Sequence, residues 1–362
     1  MDTVILGLGT ATPPYAITQA RAAMLAKTLG RYTSRQVRLL DAVYQRSRIK
    51  RRGSVLFESG DGHEMPQSFF PPAAHETDRG PTTFERLERY AQEAPPLARA
   101  ASLQALEAAA VRPQEITHLV TVSCTGFSSP GVDIRLTKEL GLSDTVERTH
   151  VGFMGCHGAI NGLRVADALA RQRPEARVLV CAVELCSLHF RYGWHEQGLV
   201  SNALFADGAA ACIMAPSQNW SGALRVQATG SCLLPDSEQM MGWRIGNHGF
   251  EMRLDPSVPR LVARHLRPWL GRWLAGQGLA IEAVGSWAIH PGGPRILRSV
   301  VSGLGLPEDA AGTSRAILEE HGNMSSPTVL FILQRLQRLQ SRPPYVALAF
   351  GPGLVVEAAL IG

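Results

Sequence analysis

The chain has 362 residues, 45% of them hydrophobic and 19% charged, which is enough apolar sequence for one large core or two fused ones and excludes a disordered or fibrous protein. Lys and Arg number 36 against 31 Asp and Glu, and the resulting net charge of +5 falls short of the clustered excess of a dedicated nucleic-acid binder. The six cysteines, Cys124, Cys156, Cys181, Cys186, Cys212 and Cys232, lie mostly inside apolar runs rather than in the dense pattern of a secreted disulfide scaffold, so a reducing cytoplasm is expected.

The opening M-D-T-V-I-L-G-L-G-T has no basic leader, and no run of about 18 apolar residues follows anywhere, so membrane insertion is not expected. In chain order, Val4 to Gly9, Thr117 to Cys124, Arg177 to Leu185 and Tyr345 to Phe350 are apolar runs bounded by turn residues and predict buried strands. Amphipathic stretches between them predict helices, the pattern of an α/β fold. Residues 53 to 83, rich in Gly, Pro, Ser and Asp, predict a long irregular excursion. The polar segment from Pro216 to Gly222 divides the chain into 1–215 and 223–362. Each part ends in a glycine-bearing strand region, L-F-A-D-G-A-A-A at 204–211 and F-G-P-G-L-V-V-E at 350–357, as two related halves would.

Three places carry the chemistry. At 151–170 glycines flank Cys156, and Ile160, Leu163, Ala166 and Leu169 follow at helical spacing, which puts the cysteine where a strand turns into a helix. Free N–H groups and the macrodipole at a helix N-terminus favour a thiolate, and Gly155 and Gly158 leave room for a bulky thioester. Taken alone, a cysteine in such a run is more often a small buried hydrophobe. W-A-I-H-P-G-G-P at 287–294 ends a short apolar strand on His290, with Pro294 placed to open a helix. H-G-N-M-S-S-P at 321–327 sets Asn323 in a tight turn, with Ser325 or Ser326 as N-cap and Pro327 in the first helical turn. A histidine before proline and an asparagine in a turn are each commonly structural. A cysteine elbow followed by both is a rarer combination, and it fits nucleophilic catalysis.

Two other features have weaker implications. R-S-R-I-K-R-R at 46–52 is the densest basic run, either a solvated face or a phosphate contact. Cys181, Cys186 and His189 have the residue types of a metal site, but Cys181 lies in V-L-V-C-A-V, a strand interior, so no metal is expected.

The motifs G-F-M-G-C-H-G, W-A-I-H-P-G-G-P, G-N-M-S-S and F-G-P-G-L resemble, in order and spacing, those of type III polyketide synthases, the chalcone synthase superfamily. The resemblance spans essentially the whole chain. It implies a five-layer αβαβα thiolase fold and a homodimer, with acyl-CoA and malonyl-CoA as substrates and no cofactor. Cys156 is implied as nucleophile, His290 and Asn323 as its partners, and Phe205 as a gatekeeper beside the sulfur. Arg46 matches one of three CoA-binding cations of plant members, while Leu39 and Ala42 occupy the other two places. In the substrate cavity Met252 stands where plant enzymes carry a second gatekeeper Phe, Cys186 and His189 stand at two usual Thr positions, and Cys124 matches a cysteine of some bacterial members. Ser325 is implied in substrate contact, and Gly351, Pro352 and Gly353 in shaping the cyclisation cavity.

This pattern implies iterative decarboxylative condensation followed by cyclisation to a pyrone or resorcinol-type product, with an aliphatic starter favoured by the soft side chains Met252 and Cys186. The rival readings are a ketosynthase III-like condensing enzyme working with acyl carrier protein and a non-catalytic thiolase-fold protein that binds acyl-CoA.

Overall fold

A strand whose side chains are apolar in both directions needs cover on both faces. The segment Asp207–Pro216, D-G-A-A-A-C-I-M-A-P, is buried at every position, and Val178–Leu185 likewise. The computed structural model describes residues 2–60, 66–217, 220 and 224–362 and provides that double cover.

The first half runs β1 (Thr3–Ala11), β2 (Ala16–Thr18), α1 (Gln19–Leu29), α2 (Ser34–Arg46), β3 (Arg51–Gly53) and α3 (Thr83–Ala109). It continues with β4 (His118–Ser123), α4 (Val132–Leu140), β5 (Glu147–Gly152), α5 (Gly158–Ala170), β6 (Val178–Leu185), α6 (Glu196–Leu204) and β7 (Asp207–Pro216). The second half has β8 (Leu224–Leu233), β9 (Met241–Gly246), β10 (Gly249–Leu254), α7 (Val258–Ala275), β11 (Ser286–Ile289) and α8 (Pro294–Leu304). It closes with α9 (Gly312–His321), α10 (Thr328–Arg338), β12 (Tyr345–Gly351) and β13 (Val355–Ile361). Between β3 and α3 the described residues form neither helix nor strand, and 61–65 lie outside them; so do 218, 219 and 221–223 of the dividing segment.

Nine strands pair in the order β11-β12-β13-β8-β1-β7-β6-β4-β5. From β1 outward the pairings are antiparallel to β7, antiparallel to β6 and parallel to β4; from β8 outward they are antiparallel to β13, antiparallel to β12 and parallel to β11. The same supersecondary unit therefore occurs twice, joined where Thr3–Ile5 of β1 meets Leu224–Val226 of β8.

Alternation along the strands sorts the layers. Val178, Val180 and Ala182 of β6 face a core that holds Ile160, Leu163 and Ala166 of α5 and Val329, Ile332 and Leu333 of α10. Leu179, Cys181 and Val183 face Ala98, Ala101 and Ala105 of α3. In the second half Tyr345, Ala347 and Ala349 face α5 and α10, while Val346, Leu348 and Phe350 face Val262 and Leu266 of α7 and Val300 of α8. Helix, sheet, helix, sheet, helix is the five-layer arrangement, with α5 and α10 shared in the middle. Among the described residues no helix is long and apolar enough to cross a membrane.

The α3 layer lies so close to β1 that only glycine fits below it. A Cβ on Gly9 would stand 2.1 Å from the carbonyl oxygen of Ala101, a backbone atom that cannot rotate away. Gly9→Ala is expected to lose about 3 kcal/mol of stability by overpacking. Gly312→Ala, at a helical position where an added Cβ meets nothing within 4 Å, should change stability by no more than about 1 kcal/mol. Urea titrations of the two variants give the comparison.

Candidate active site

Cys156 sits in a short 3-10 turn, Gly155–His157, between the end of β5 and the start of α5. Gly155 has φ of 69°, and a Cβ there would come within 2.6 Å of the Pro352 ring. A Cβ on Gly351 would come within 2.4 Å of the His157 ring. The F-G-P-G-L loop is thus the backing of the cysteine elbow. Gly351, Pro352 and Gly353 line neither cavity of this region, contrary to the expectation that they shape the space for cyclisation; only Phe350 of that motif does.

His290 follows the last residue of β11, and its N–H continues the ladder to the carbonyl of Leu348 at 2.7 Å. The side chain is buried at 1% exposure, and neither ring nitrogen has a hydrogen-bond partner among the described residues. Asn323 is held at three points. Its N–H donates to the Leu204 carbonyl and its carbonyl accepts from Ala206, both at 2.9 Å. Its Oδ1 accepts the Ser325 N–H at 2.8 Å, which leaves the amide NH2 as the end that meets the Cys156 sulfur. Cys156, His290 and Asn323 line one cavity of about 420 Å³ with Phe205, Met252, Leu204 and Phe350.

Desolvation dominates the titration of this cavity. Burial pushes the Cys156 thiol up to about 12, against hydrogen bonds from Ser325 and Asn323 that favour the thiolate. Burial, with a smaller contribution from His157, pushes the His290 imidazole down to about 3. Burial of the sulfur thus acts against the thiolate that the helix N-terminus favours. A proton passed from sulfur to ring changes the balance, since it creates two opposite charges together and gives the orphaned ring nitrogens donors to offer.

Behind the sulfur lies a fully buried carboxylate. Glu184, at the end of β6, accepts the Cys124 N–H at 3.0 Å, the Thr125 hydroxyl at 2.7 Å and the Ser326 hydroxyl at 2.8 Å. The Cys124 thiol donates to it at 3.2 Å and lies 3.7 Å from the Ser325 hydroxyl. Burial raises the Glu184 pKa against those hydrogen bonds, and its charge in turn raises that of Cys156. Ser325 and Ser326 are thus bound up in this cluster instead of capping α10, whose N-cap is Pro327 with no side-chain bond.

A second, larger cavity of about 840 Å³ meets the first at Ser201, Phe205 and Met252, which line both. Cys186 and His189 line it, and its far wall is apolar, built from Ala22, Leu25, Ala26 and Leu29 of α1 with Phe57 and Phe70. His189 accepts the Phe250 N–H at 2.9 Å, pairs with the Thr125 carbonyl at 2.7 Å, and stacks on Phe250 with centroids 4.3 Å apart. Trp243 packs edge-on against His189 and donates its indole N–H to the Cys124 carbonyl at 2.7 Å. This aromatic group stands between Cys124 and the large cavity, so Cys124 lines neither space.

The basic run divides in two. Arg52 turns inward, donating to the carbonyls of Asn202 at 2.5 Å and Phe205 at 2.9 Å, so it fixes the segment that carries Phe205. Arg46 is exposed at the end of α2 and lines neither cavity. The sequence reading passes over Glu184 and Trp243, and it takes Ser326 for a helix cap and Arg52 for part of a basic surface run. The one legible signal among them is Glu184, a lone carboxylate closing an otherwise apolar strand.

The N-terminal domain model of chalcone and stilbene synthases matches residues 2–217, and the C-terminal domain model matches residues 225–362. The chain is 34% identical to the alpha-pyrone synthesis polyketide synthase-like protein Pks18 of Mycobacterium tuberculosis, over 99% of this chain and 90% of that one. It is 38% identical to a 1,3,6,8-tetrahydroxynaphthalene synthase of Streptomyces peucetius, over 73% of this chain and 72% of the other. The crystal structure of PKS-I from the brown alga Ectocarpus siliculosus superposes with a TM-score of 0.91 at 30% identity, covering 99% of this chain and 98% of that one. Both family domains match in order along the chain and the whole structure superposes on a solved member, so this protein belongs to the chalcone and stilbene synthases, the type III polyketide synthases.

Proposed function

We propose that the enzyme condenses malonyl-CoA iteratively onto an aliphatic acyl-CoA starter at Cys156 and releases a cyclised pyrone or resorcinol-type product. The observation that carries this reading is the single cavity shared by Cys156 from the first half and by His290 and Asn323 from the second. The alpha-pyrone name of the 34% identical relative supports the product class.

In this mechanism His290 takes the Cys156 proton as the sulfur attacks the starter thioester. The tetrahedral oxyanion receives hydrogen bonds from His290 and the amide of Asn323, and collapse expels the CoA thiolate, which takes the proton from His290 and leaves the acyl group on sulfur. Once the sulfur is acylated, no negative charge remains to hold a proton on the ring. Burial then keeps His290 neutral, with one N–H to donate. Malonyl-CoA places its thioester oxygen against the same two donors. Loss of carbon dioxide leaves an enolate there without any strong base, and its carbon attacks the acyl thioester. The Cys156 thiolate departs, and a chain two carbons longer remains on CoA.

The apolar wall of α1 supports an aliphatic starter. Each buried methylene contributes about 0.8 kcal/mol, so lengthening a bound starter by two carbons should favour it roughly tenfold until the cavity is full. For the whole protein, the family resemblance supports a homodimer, and Phe127, Phe153 and Met154 expose 62%, 50% and 44% of their surface for such a contact.

With malonyl-CoA and a chain-length series of acyl-CoAs, mass spectrometry should show multiply extended products that rise with starter length and vanish in Cys156→Ala. Products persisting in that variant would exclude Cys156 as the nucleophile. Ala26→Phe should move the preferred starter to shorter chains, and an unchanged profile would remove the α1 cavity from the acyl path. In the free enzyme, alkylation of Cys156 by iodoacetamide should show a midpoint below the roughly 8.5 of an ordinary thiol. His290→Gln removes the proton acceptor and leaves the burial that raises the thiol pKa, so its midpoint should lie above 9; equal midpoints would mean that His290 does not ionise the cysteine.

A further inference from the structure

We infer that Arg52 is a positioning residue for the Asn323 amide, acting through the junction where the end of α6 meets the turn after α9. The inference rests on the reading of Asn323 as a donor to the oxyanion and the enolate. Arg52 lines the large cavity but not that of Cys156, so it touches no reacting atom.

Helix α6 has no basic residue in its last turn, and the carbonyls of Asn202, Ala203 and Leu204 find no partner within the helix. Each is taken by a distant part of the chain. The Gln19 side chain donates to Ala203 at 2.7 Å, the Asn323 N–H to Leu204 at 2.9 Å, and the Arg52 guanidinium to Asn202 at 2.5 Å. The same guanidinium nitrogen reaches the Phe205 carbonyl, one residue past the helix, at 2.9 Å. Arg52 thus supplies the cation that the negative end of the helix macrodipole favours. Tyr44 steadies it, with the ring 5.4 Å from the guanidinium carbon and the hydroxyl donating to the same Asn202 carbonyl at 3.3 Å. Arg52 pairs with no carboxylate among the described residues, so these carbonyls and this ring are what hold its charge.

The other side of Arg52 packs on the turn that carries Asn323. Lys50, two residues earlier, donates its N–H to the Glu319 carbonyl of α9 at 2.7 Å, and Arg52 itself pairs with Ile17 of β2. Gly322, just before Asn323, has φ of 77°, and a Cβ there would stand 3.0 Å from the Ala206 Cβ, 3.3 Å from the Leu204 carbonyl oxygen and 3.4 Å from the Arg52 Cβ. The ends of α6 and α9 and the strand β3 therefore close on one glycine. Asn323 hangs from Leu204 and Ala206, the two neighbours of the residue whose carbonyl Arg52 holds. Loss of the guanidinium frees that segment, and a misplacement of about 1 Å in a catalytic donor can cost about 100-fold in rate.

The test pairs a double-mutant cycle on malonyl-CoA decarboxylation with hydrogen exchange. Arg52→Met should lower kcat by about tenfold or more and leave KM within about threefold; in an Asn323→Ala background the same replacement should cost less than about threefold, because the donor it serves is gone. Equal losses in the two backgrounds would mark a merely structural role and overturn the proposal. In Arg52→Met the backbone amides of Asn323 and Ala206 should exchange with deuterium about tenfold faster or more, while that of His290, bonded to Leu348, keeps its rate. Unchanged exchange at Asn323 and Ala206 would also overturn it. Exchange reads the clamp even if the wild type decarboxylates nothing, in which case the functional reading fails and the positioning stands. Arg52→Lys keeps a cation at the helix end without the guanidinium fork, so its losses should be smaller with the same dependence on Asn323. It carries the cycle where thermal melts show Arg52→Met to be unfolded.

Discussion

The site depends on a pair of backbone hydrogen bonds between the two halves. Phe205, just after α6, and Asn323, just before α10, form a parallel bridge in which Asn323 bonds to Leu204 and Ala206 to Asn323. That bridge ties the Phe205 ring and the Asn323 amide to each other. Arg52 adds a clamp from outside through the Phe205 carbonyl. With backbone and Oδ1 both committed, the asparagine has one orientation left, and its NH2 group faces the cavity of Cys156. A side-chain donor anchored in this way needs little reorganisation when charge develops, which is the condition for electrostatic stabilisation of an oxyanion or enolate.

The second constraint is dryness. Taken singly, burial opposes both a thiolate at Cys156 and an imidazolium at His290. In the proposed mechanism a proton passes from sulfur to ring, and the two ions would compensate each other in a low dielectric. Acylation would then remove one member and return the other to neutrality. On that reading the same histidine accepts a proton in loading and donates a hydrogen bond in decarboxylation. Glu184 sets a limit on this scheme, because its negative charge works against the thiolate. Its backbone, thiol and hydroxyl donors hold it in place behind Cys124, and Ser325 stands between the two sulfurs.

Much of this was legible in the sequence where chemistry and turn geometry coincide. The strands predicted around Val4, Thr117, Arg177 and Tyr345 appear within a few residues, because runs such as V-L-V-C-A-V have no other place than a sheet covered on both faces. Cys156, His290 and Asn323 stand out in the sequence because each sits in a glycine turn at the end of an element, and the fold brings the three to one cavity. What escaped depends on packing at long range. Arg52 looks like its basic neighbours and differs only in pointing inward. Ser325 and Ser326 have the local form of a helix cap and are diverted by Glu184, 142 residues away from Ser326. The F-G-P-G-L loop reads equally well as a cavity wall or as a brace, and only the approach of Pro352 to Gly155 decides for the brace.

The shape of the large cavity follows from the same long-range packing. Trp243, His189 and Phe250 fill the space beside Cys124 as a mutually locked aromatic group, and each has its polar atoms satisfied: the indole by the Cys124 carbonyl, the imidazole by Thr125 and Phe250. Locked rings do not yield to a growing chain. Room exists in the other direction, past Phe205 and the flexible Met252 toward the alanines of α1. An acyl chain that enters this space trades water for apolar wall along its length, whereas the CoA phosphates cannot follow it without losing hydration.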